Sequence, residues 1–239
     1  MRDPMPDAII LAGGLGTRLQ QTVSDLPKSM APLGGRPFLE YLLKYLENNF
    51  VQNVVLSLGY KADLITEHFG AAYGKLNLSF IVEDEPLGTG GAVMKALDHT
   101  FSDNVIVLNG DTLFDVDLPE MLQQHIISKA QVTIALHEVP DTGRYGAVIT
   151  NNDGRIVAFQ EKQSGTGRGQ INGGVYIIRR EYLKTLNLPE KFSIEKDLFQ
   201  AHFSDVSYYG YYGSGYFIDI GIPADYSRAC DELPDIIRL

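Results

Sequence analysis

The chain has 239 residues, 44% hydrophobic and 21% charged, enough for one large globular domain with a core of its own. Its formal net charge of -10 argues against a nucleic-acid partner, and its single cysteine, Cys230, excludes an intramolecular disulfide framework and a cysteine-rich metal site. No apolar run reaches the length of a membrane span and the start lacks a signal-peptide core, so a cytoplasmic protein with no membrane partner is expected.

The first element is a short apolar run, Ala8–Leu11, which reads as a buried β-strand. It breaks into Gly13-Gly14-Leu15-Gly16-Thr17-Arg18. Successive backbone N–H groups in such a loop form an anion-binding concavity, and Arg18 adds a fork suited to phosphate oxygens. A dinucleotide fingerprint begun at Gly14 would need glycine where Leu19 stands, and a P-loop begun at Gly13 would need glycine where Arg18 stands. The loop is therefore a phosphate loop of another kind, or a glycine-rich turn with no ligand. Next comes Asp25–Leu33, an extended, proline-held segment carrying Lys28, which is either a solvated lysine or a second phosphate cation. A helix is expected over Pro37–Asn49, with Phe38, Leu42, Tyr45 and Leu46 on its core face.

Strands then alternate with helices: strand Asn53–Leu58, helix Ala62–Phe69, strand Leu76–Val82, helix Thr89–His99 and strand Asn104–Leu108. This alternation predicts a mostly parallel sheet with helices on both faces, where ligands bind beyond the carboxyl ends of the strands. Gly13–Arg18, Glu83–Gly91 and Asn109-Gly110-Asp111 all fall at those ends.

Beyond Asp117 the pattern changes. A helix over Asp117–Ser128 and a strand over Val132–Val139 precede a hairpin of Tyr145–Thr150 and Arg155–Gln160, then a strand over Ile171–Ile178. The expected fold is a Rossmann-like α/β domain, with a mixed, mainly parallel sheet flanked by helices and a small antiparallel substrate-binding part. Residues 1–116 read as mainly the nucleotide half and 117–239 as mainly a lid-like substrate half of one domain. Tyr208–Tyr216 reads as an edge strand or a partner interface, with a sugar-stacking platform as the alternative. Oligomeric state is left open, a homo-oligomer included.

Two aspartates stand out. Asp111 follows a buried strand, where a carboxylate can hold Mg²⁺ against phosphate oxygens, although such a residue also serves as a turn or helix cap. Asp219, in Phe217-Ile218-Asp219-Ile220-Gly221, is flanked by apolar residues and costly to bury unpaired. Together they make an oxygen-rich pair of the kind Mg²⁺ favours. Glu161-Lys162 is either a surface ion pair or an acceptor for sugar hydroxyls beside a cation for a sugar phosphate. In Asn172-Gly173-Gly174, glycines inside an apolar strand permit close approach of a ligand.

LAGGLGTRL, PKSMAPLGGRP, EPLGTGGA, NGD, EK, NGGVY and FIDIG occur in the order found in sugar-1-phosphate nucleotidyltransferases, and the chain resembles that family over nearly its whole length. Within it the pattern is most similar to the D-glycero-α-D-manno-heptose 1-phosphate guanylyltransferases. Mannose-1-phosphate guanylyltransferases and muramate-type uridylyltransferases share much of it. Phe217 stands where the family often has tryptophan. The chain stops at Leu239 without the left-handed β-helix of longer relatives, so no second activity such as acetyl transfer is expected.

The resemblance implies transfer of GMP from GTP to a sugar 1-phosphate, with Mg²⁺ as cofactor. Leu11 and Ala12 would lie at the nucleotide, and the Gly13, Gly14, Gly16 and Thr17 backbone would cradle its phosphates. Arg18 would bind the departing pyrophosphate, and Lys28 would contact phosphate at the reacting centre. Asp111 and Asp219 would hold the metal. Asn109, Gly146, Glu161, Asn172 and Gly173 would lie at the sugar, with Lys162 at its phosphate. Glu83 and Gly88 fall where the family reads the base, and Thr89 would lie at the nucleotide. Guanine presents two adjacent N–H donors that one carboxylate can accept together, so Glu83 favours GTP; the alternative is that Glu83 or Glu85 is a solvated loop residue. A catalytically silent nucleotide-sensing subunit would be expected to lose a phosphate cation or a metal carboxylate, whereas Arg18, Lys28, Asp111 and Asp219 are all present.

Overall fold

The computed structural model describes residues 4–14, 19, 25–160 and 167–239. It begins with β1 (Ala8–Ala12), a 3-10 turn over Lys28–Met30, the short strands β2 (Pro32–Leu33) and β3 (Arg36–Pro37), and helix α1 (Phe38–Asn48). The alternating stretch follows as β4 (Asn53–Leu58), α2 (Ala62–Phe69), β5 (Ala72–Tyr73), β6 (Leu76–Val82), α3 (Gly88–Leu97) and β7 (Asn104–Asn109). Then come β8 (Thr112–Phe114), α4 (Leu118–Ile127), β9 (Val132–Val139), the hairpin strands β10 (Ala147–Thr150) and β11 (Ile156–Gln160), β12 (Gly169–Arg179) and α5 (Arg180–Thr185). The chain closes with a π-helix over Ile194–Gln200, β13 (Tyr208–Gly213), β14 (Phe217–Asp219) and α6 (Pro223–Ile236).

An eight-stranded sheet runs in the order β13-β9-β12-β7-β1-β4-β6-β5. β1 lies parallel to β4 and β7, and β4 parallel to β6. β12 lies antiparallel to both β7 and β9, so the second half of the chain continues the same sheet. β13 pairs parallel to β9 and forms one edge, as the tyrosine-rich stretch suggests.

The β1 run is apolar throughout because the sheet is covered on both faces. Ala8 and Ile10 enter one core with Phe38, Leu42 and Tyr45 of α1, Ile65 of α2, Met121 of α4 and Leu233 of α6. Ile9 enters the other, with Val93 and Leu97 of α3, Leu183 of α5 and Phe199 of the π-helix. Period-two alternation thus sends successive β1 side chains to different layers. No helix among the described residues is long and apolar enough to cross a membrane.

Candidate active site

β1, β4, β6 and β7 run parallel, so their carboxyl ends share one rim. Asp111 leaves that rim just after β7. Asp219 arrives from the far end of the chain, because β14 pairs antiparallel with β8 and sets Asp219 opposite Thr112. Ile220 N also donates to Asp111 O at 3.0 Å. This small ladder joins two carboxylates that are remote in sequence.

Lys28 stands between them. Its Nζ lies 2.6 Å from Asp111 Oδ2 and 3.7 Å from Asp219 Oδ1, and only 13% of its side chain is exposed. A solvated surface lysine is therefore the wrong description of it. Asp111 also accepts from Thr112 Oγ1 at 3.1 Å, and Asp219 Oδ1 from Gly221 N at 2.7 Å. Burial pushes the Asp219 carboxyl above its ordinary value; the neighbouring Asp111 charge adds to this, while Lys28 and Arg144 oppose it.

Two cavities, each of about 360 Å³, meet at Asp219. The first is bounded by Leu11, Ala12, Gly14, Lys28, Asp111 and Arg144. The second is bounded by Asn109, Gly146, Asn172, Tyr176, Glu195 and Phe217, among others. Its aromatic wall is packed from behind: Phe217 stacks on His137 at 4.7 Å and meets Phe114 and Tyr145 edge-on.

Of the residues singled out in the sequence, Leu11, Ala12, Gly14, Lys28, Asp111 and Asp219 converge on the first cavity, and Asn109, Gly146 and Asn172 on the second. Gly16, Thr17, Arg18, Glu161 and Lys162 lie outside the described residues. Gly13 backs onto Glu83, whose Oε1 is 3.3 Å from where a Gly13 Cβ would stand. Glu83 itself accepts from Ser57 Oγ and Leu87 N, both at 3.0 Å, leaving further lone pairs on its two oxygens.

At three of these positions the structure shows neighbours that the sequence does not. Gly173 lines neither of these two cavities: a Cβ there would stand 2.4 Å from Phe114 Cδ1, and it is Gly174 that reaches the lining of the second. Gly88, with φ +73°, packs against the chain at Phe192, whose O would lie 2.5 Å from an added Cβ. A Cβ on Gly90 would meet the Phe192 ring at 2.0 Å. The glycines of this motif therefore serve the docking of a strap, residues 190–200, onto α3. Thr89 completes the dock: its Oγ1 accepts from Ile194 N and donates to Glu195 Oε2, both at 2.9 Å.

Arg144, Glu195 and Lys196 escaped the sequence reading. None was itself part of a motif singled out in the sequence, and only the fold brings each to a cavity.

A family model for nucleotidyl transferases matches residues 7–235. The chain is 47% identical to the D-glycero-alpha-D-manno-heptose 1-phosphate guanylyltransferase of Aneurinibacillus thermoaerophilus, over 97% of this chain and 100% of the relative. It is 38% identical to the enzyme of the same name from Campylobacter jejuni, over 92% and 96%. The crystal structure of HddC from Yersinia pseudotuberculosis superimposes with a TM-score of 0.85 at 38% identity, covering 96% of this chain and all of that one. The same protein complexed with GMP-PN superimposes at 0.84.

Proposed function

Because the chain belongs to the nucleotidyl transferase family, we propose that it transfers GMP from GTP to D-glycero-α-D-manno-heptose 1-phosphate, releasing pyrophosphate and forming the GDP-sugar. The carrying observation is the meeting of Asp111, Asp219 and Lys28 at the junction of two cavities. One cavity takes the nucleotide phosphates, the other the sugar.

The donor set fits a divalent ion. Two carboxylates converge, and one is raised in pKa by burial and by the other's charge. Among the described residues no group of three or more His, Cys, Asp or Glu is present that could hold a metal. A cation at Asp111 and Asp219 would therefore complete its shell with phosphate oxygens and water, the habit of Mg²⁺. When bound, Mg²⁺ neutralises phosphate charge and polarises the phosphoryl group under attack.

A phosphate oxygen of the sugar 1-phosphate attacks the α-phosphorus of GTP. The new P–O bond forms as the bond to the bridging oxygen of the β-phosphate breaks, and that oxygen leaves with pyrophosphate. The nucleophile is already anionic, so no general base is needed. The obstacle is the approach of two polyanions, which Lys28 offsets from its sheltered place beside both aspartates. Arg18 and Lys162 are assigned to pyrophosphate and sugar phosphate. Holding both substrates in line supplies much of the remaining acceleration. Glu83, at the end of β6, accepts from the pairing edge of guanine with the lone pairs that Ser57 and Leu87 leave free.

The test is pyrophosphate release measured for a matrix of sugar 1-phosphates against the four nucleoside triphosphates, with and without Mg²⁺. The expected maximum is the heptose phosphate with GTP and Mg²⁺. A maximum with mannose 1-phosphate, or with UTP, replaces the substrate assignment while keeping the reaction. Absence of release with every pair overturns the reading.

A further inference from the structure

Arg144 belongs to a turn, Thr142–Gly146, in which Tyr145 N and Gly146 N both donate to Thr142 O. Its guanidinium borders the first cavity, while the next two residues, Tyr145 and Gly146, border the second. It therefore stands at the passage between them.

Three contacts fix it. Nη1 donates to Asp225 Oδ2, in the first turn of α6. Nη2 donates to Asp219 Oδ2 at 3.3 Å. The Tyr145 ring lies against the guanidinium, 4.9 Å from centroid to Cζ. An arginine carries five N–H donors, and these hydrogen bonds use two. The side chain is 36% exposed and lines the first cavity.

Asp219 is thus flanked on both oxygens, by Lys28 at Oδ1 and by Arg144 at Oδ2. Arg228 Nη2 lies 3.9 Å from Asp225 Oδ1, so the cluster of Asp111, Asp219, Asp225, Lys28, Arg144 and Arg228 carries no net charge. A divalent ion at the two aspartates turns that into two net positive charges, a balance that favours an incoming phosphate.

Resting on the function proposed above, we propose that Arg144 is a phosphate-binding residue of the reaction, and that Asp225 is the positioning residue that aims it. A planar fork with free donors, braced by a carboxylate and an aromatic face, is suited to two oxygens of one phosphate group. That phosphate belongs either to the sugar 1-phosphate or to GTP, and the geometry serves both.

The experiment is isothermal titration of the whole protein in Mg²⁺ with two probes, the heptose 1-phosphate and a non-hydrolysable GTP analogue. The variants are Arg144→Gln, Arg144→Lys and Asp225→Asn, with thermal denaturation of each. Arg144→Gln is expected to weaken one probe by ~10-fold or more, the size of a charged hydrogen-bonding partner. The weakened probe identifies the phosphate. Arg144→Lys keeps the charge and loses the fork, so it recovers only part of the affinity. Asp225→Asn weakens the same probe and no other. Full affinity for both probes in Arg144→Gln and Arg144→Lys overturns the proposal and leaves Arg144 as a clasp between the turn and α6. A wild type that binds both probes but turns over no substrate pair contradicts the proposed reaction and leaves the Arg144 result readable.

Discussion

Lys28 Nζ lies 2.6 Å from Asp111 Oδ2, a pair separated by 83 residues and brought together at the rim of the sheet. The lysine is well sheltered and the aspartate is 41% exposed, so the pair is poorly placed to stabilise the fold and well placed to meet a ligand. Lys28→Met is expected to lower kcat by ~100-fold, as loss of one preorganised charge partner at a reacting centre does, with little change in melting temperature. Stopped-flow pyrophosphate release beside calorimetry checks both halves; unchanged turnover removes Lys28 from the chemistry.

Glu83 is tied to Ser57 Oγ and Leu87 N, which fixes the carboxylate before any base arrives. Glu83→Gln keeps the shape but presents one acceptor where guanine needs two. Relative to wild type, kcat/KM for GTP should fall by roughly 10-fold, the cost of a charge-assisted hydrogen bond, with a smaller fall for ITP, which lacks the 2-amino group. Equal losses for the two nucleotides place Glu83 away from the base.

Thr89 Oγ1 bonds both Ile194 N and Glu195 Oε2, and Glu195 Oε2 also accepts from Ser193 Oγ at 2.9 Å. Thr89→Val removes the bonds without changing volume much. Stability should drop by ~1–3 kcal/mol, two hydrogen bonds' worth, and KM for the sugar phosphate should rise more than KM for GTP because the strap walls the sugar cavity. Thr89→Ser should restore both. Identical rises in the two KM values would show that the strap does not shape the sugar side selectively.

His125 is buried between Thr133 Oγ1, 2.8 Å from its Nδ1, and Asn104 Oδ1, 3.2 Å from its Nε2. Burial pushes its pKa down to about 4, with Arg179 assisting. The folded state therefore resists protonation that the unfolded chain accepts below about 6.5. The stability contributed by the neutral ring is present above that value and is lost as pH falls from about 6.5 to about 4, by ~3 kcal/mol at most. Urea denaturation across this range should show the slope in wild type and a flatter profile in His125→Gln.

Much of the fold was legible because strands covered on both faces are largely apolar, as Asn53–Leu58 is, while partly covered ones alternate, as Leu76–Val82 does. Asn53–Leu58 and Leu76–Val82 occur with the bounds their patterns suggest, and α2 covers Ala62–Phe69 as expected. The π-helix over Ile194–Gln200 was not legible, since its anchor is a hydroxyl more than a hundred residues away on Thr89. The same distance hid the purpose of the glycines at 88 and 90, whose small size answers to Phe192. Asp111 and Asp219 were legible as carboxylates beside apolar runs; the β8–β14 ladder that joins them was not, because three-residue strands carry no periodicity of their own. Arg144 carries no signal of its own in the sequence, because its partners Asp219 and Asp225 lie more than seventy residues away.

The antiparallel insertion of β12 between β7 and β9 constrains how the protein can move during a catalytic cycle. To swing the two halves apart like the covers of a book, the molecule would have to unzip the five-residue ladder from Val175–Leu108 to Arg179–Asn104. The sheet is consequently a stationary bench, and any gating of substrate entry or product exit falls to the surface turns and the strap mounted on its rim.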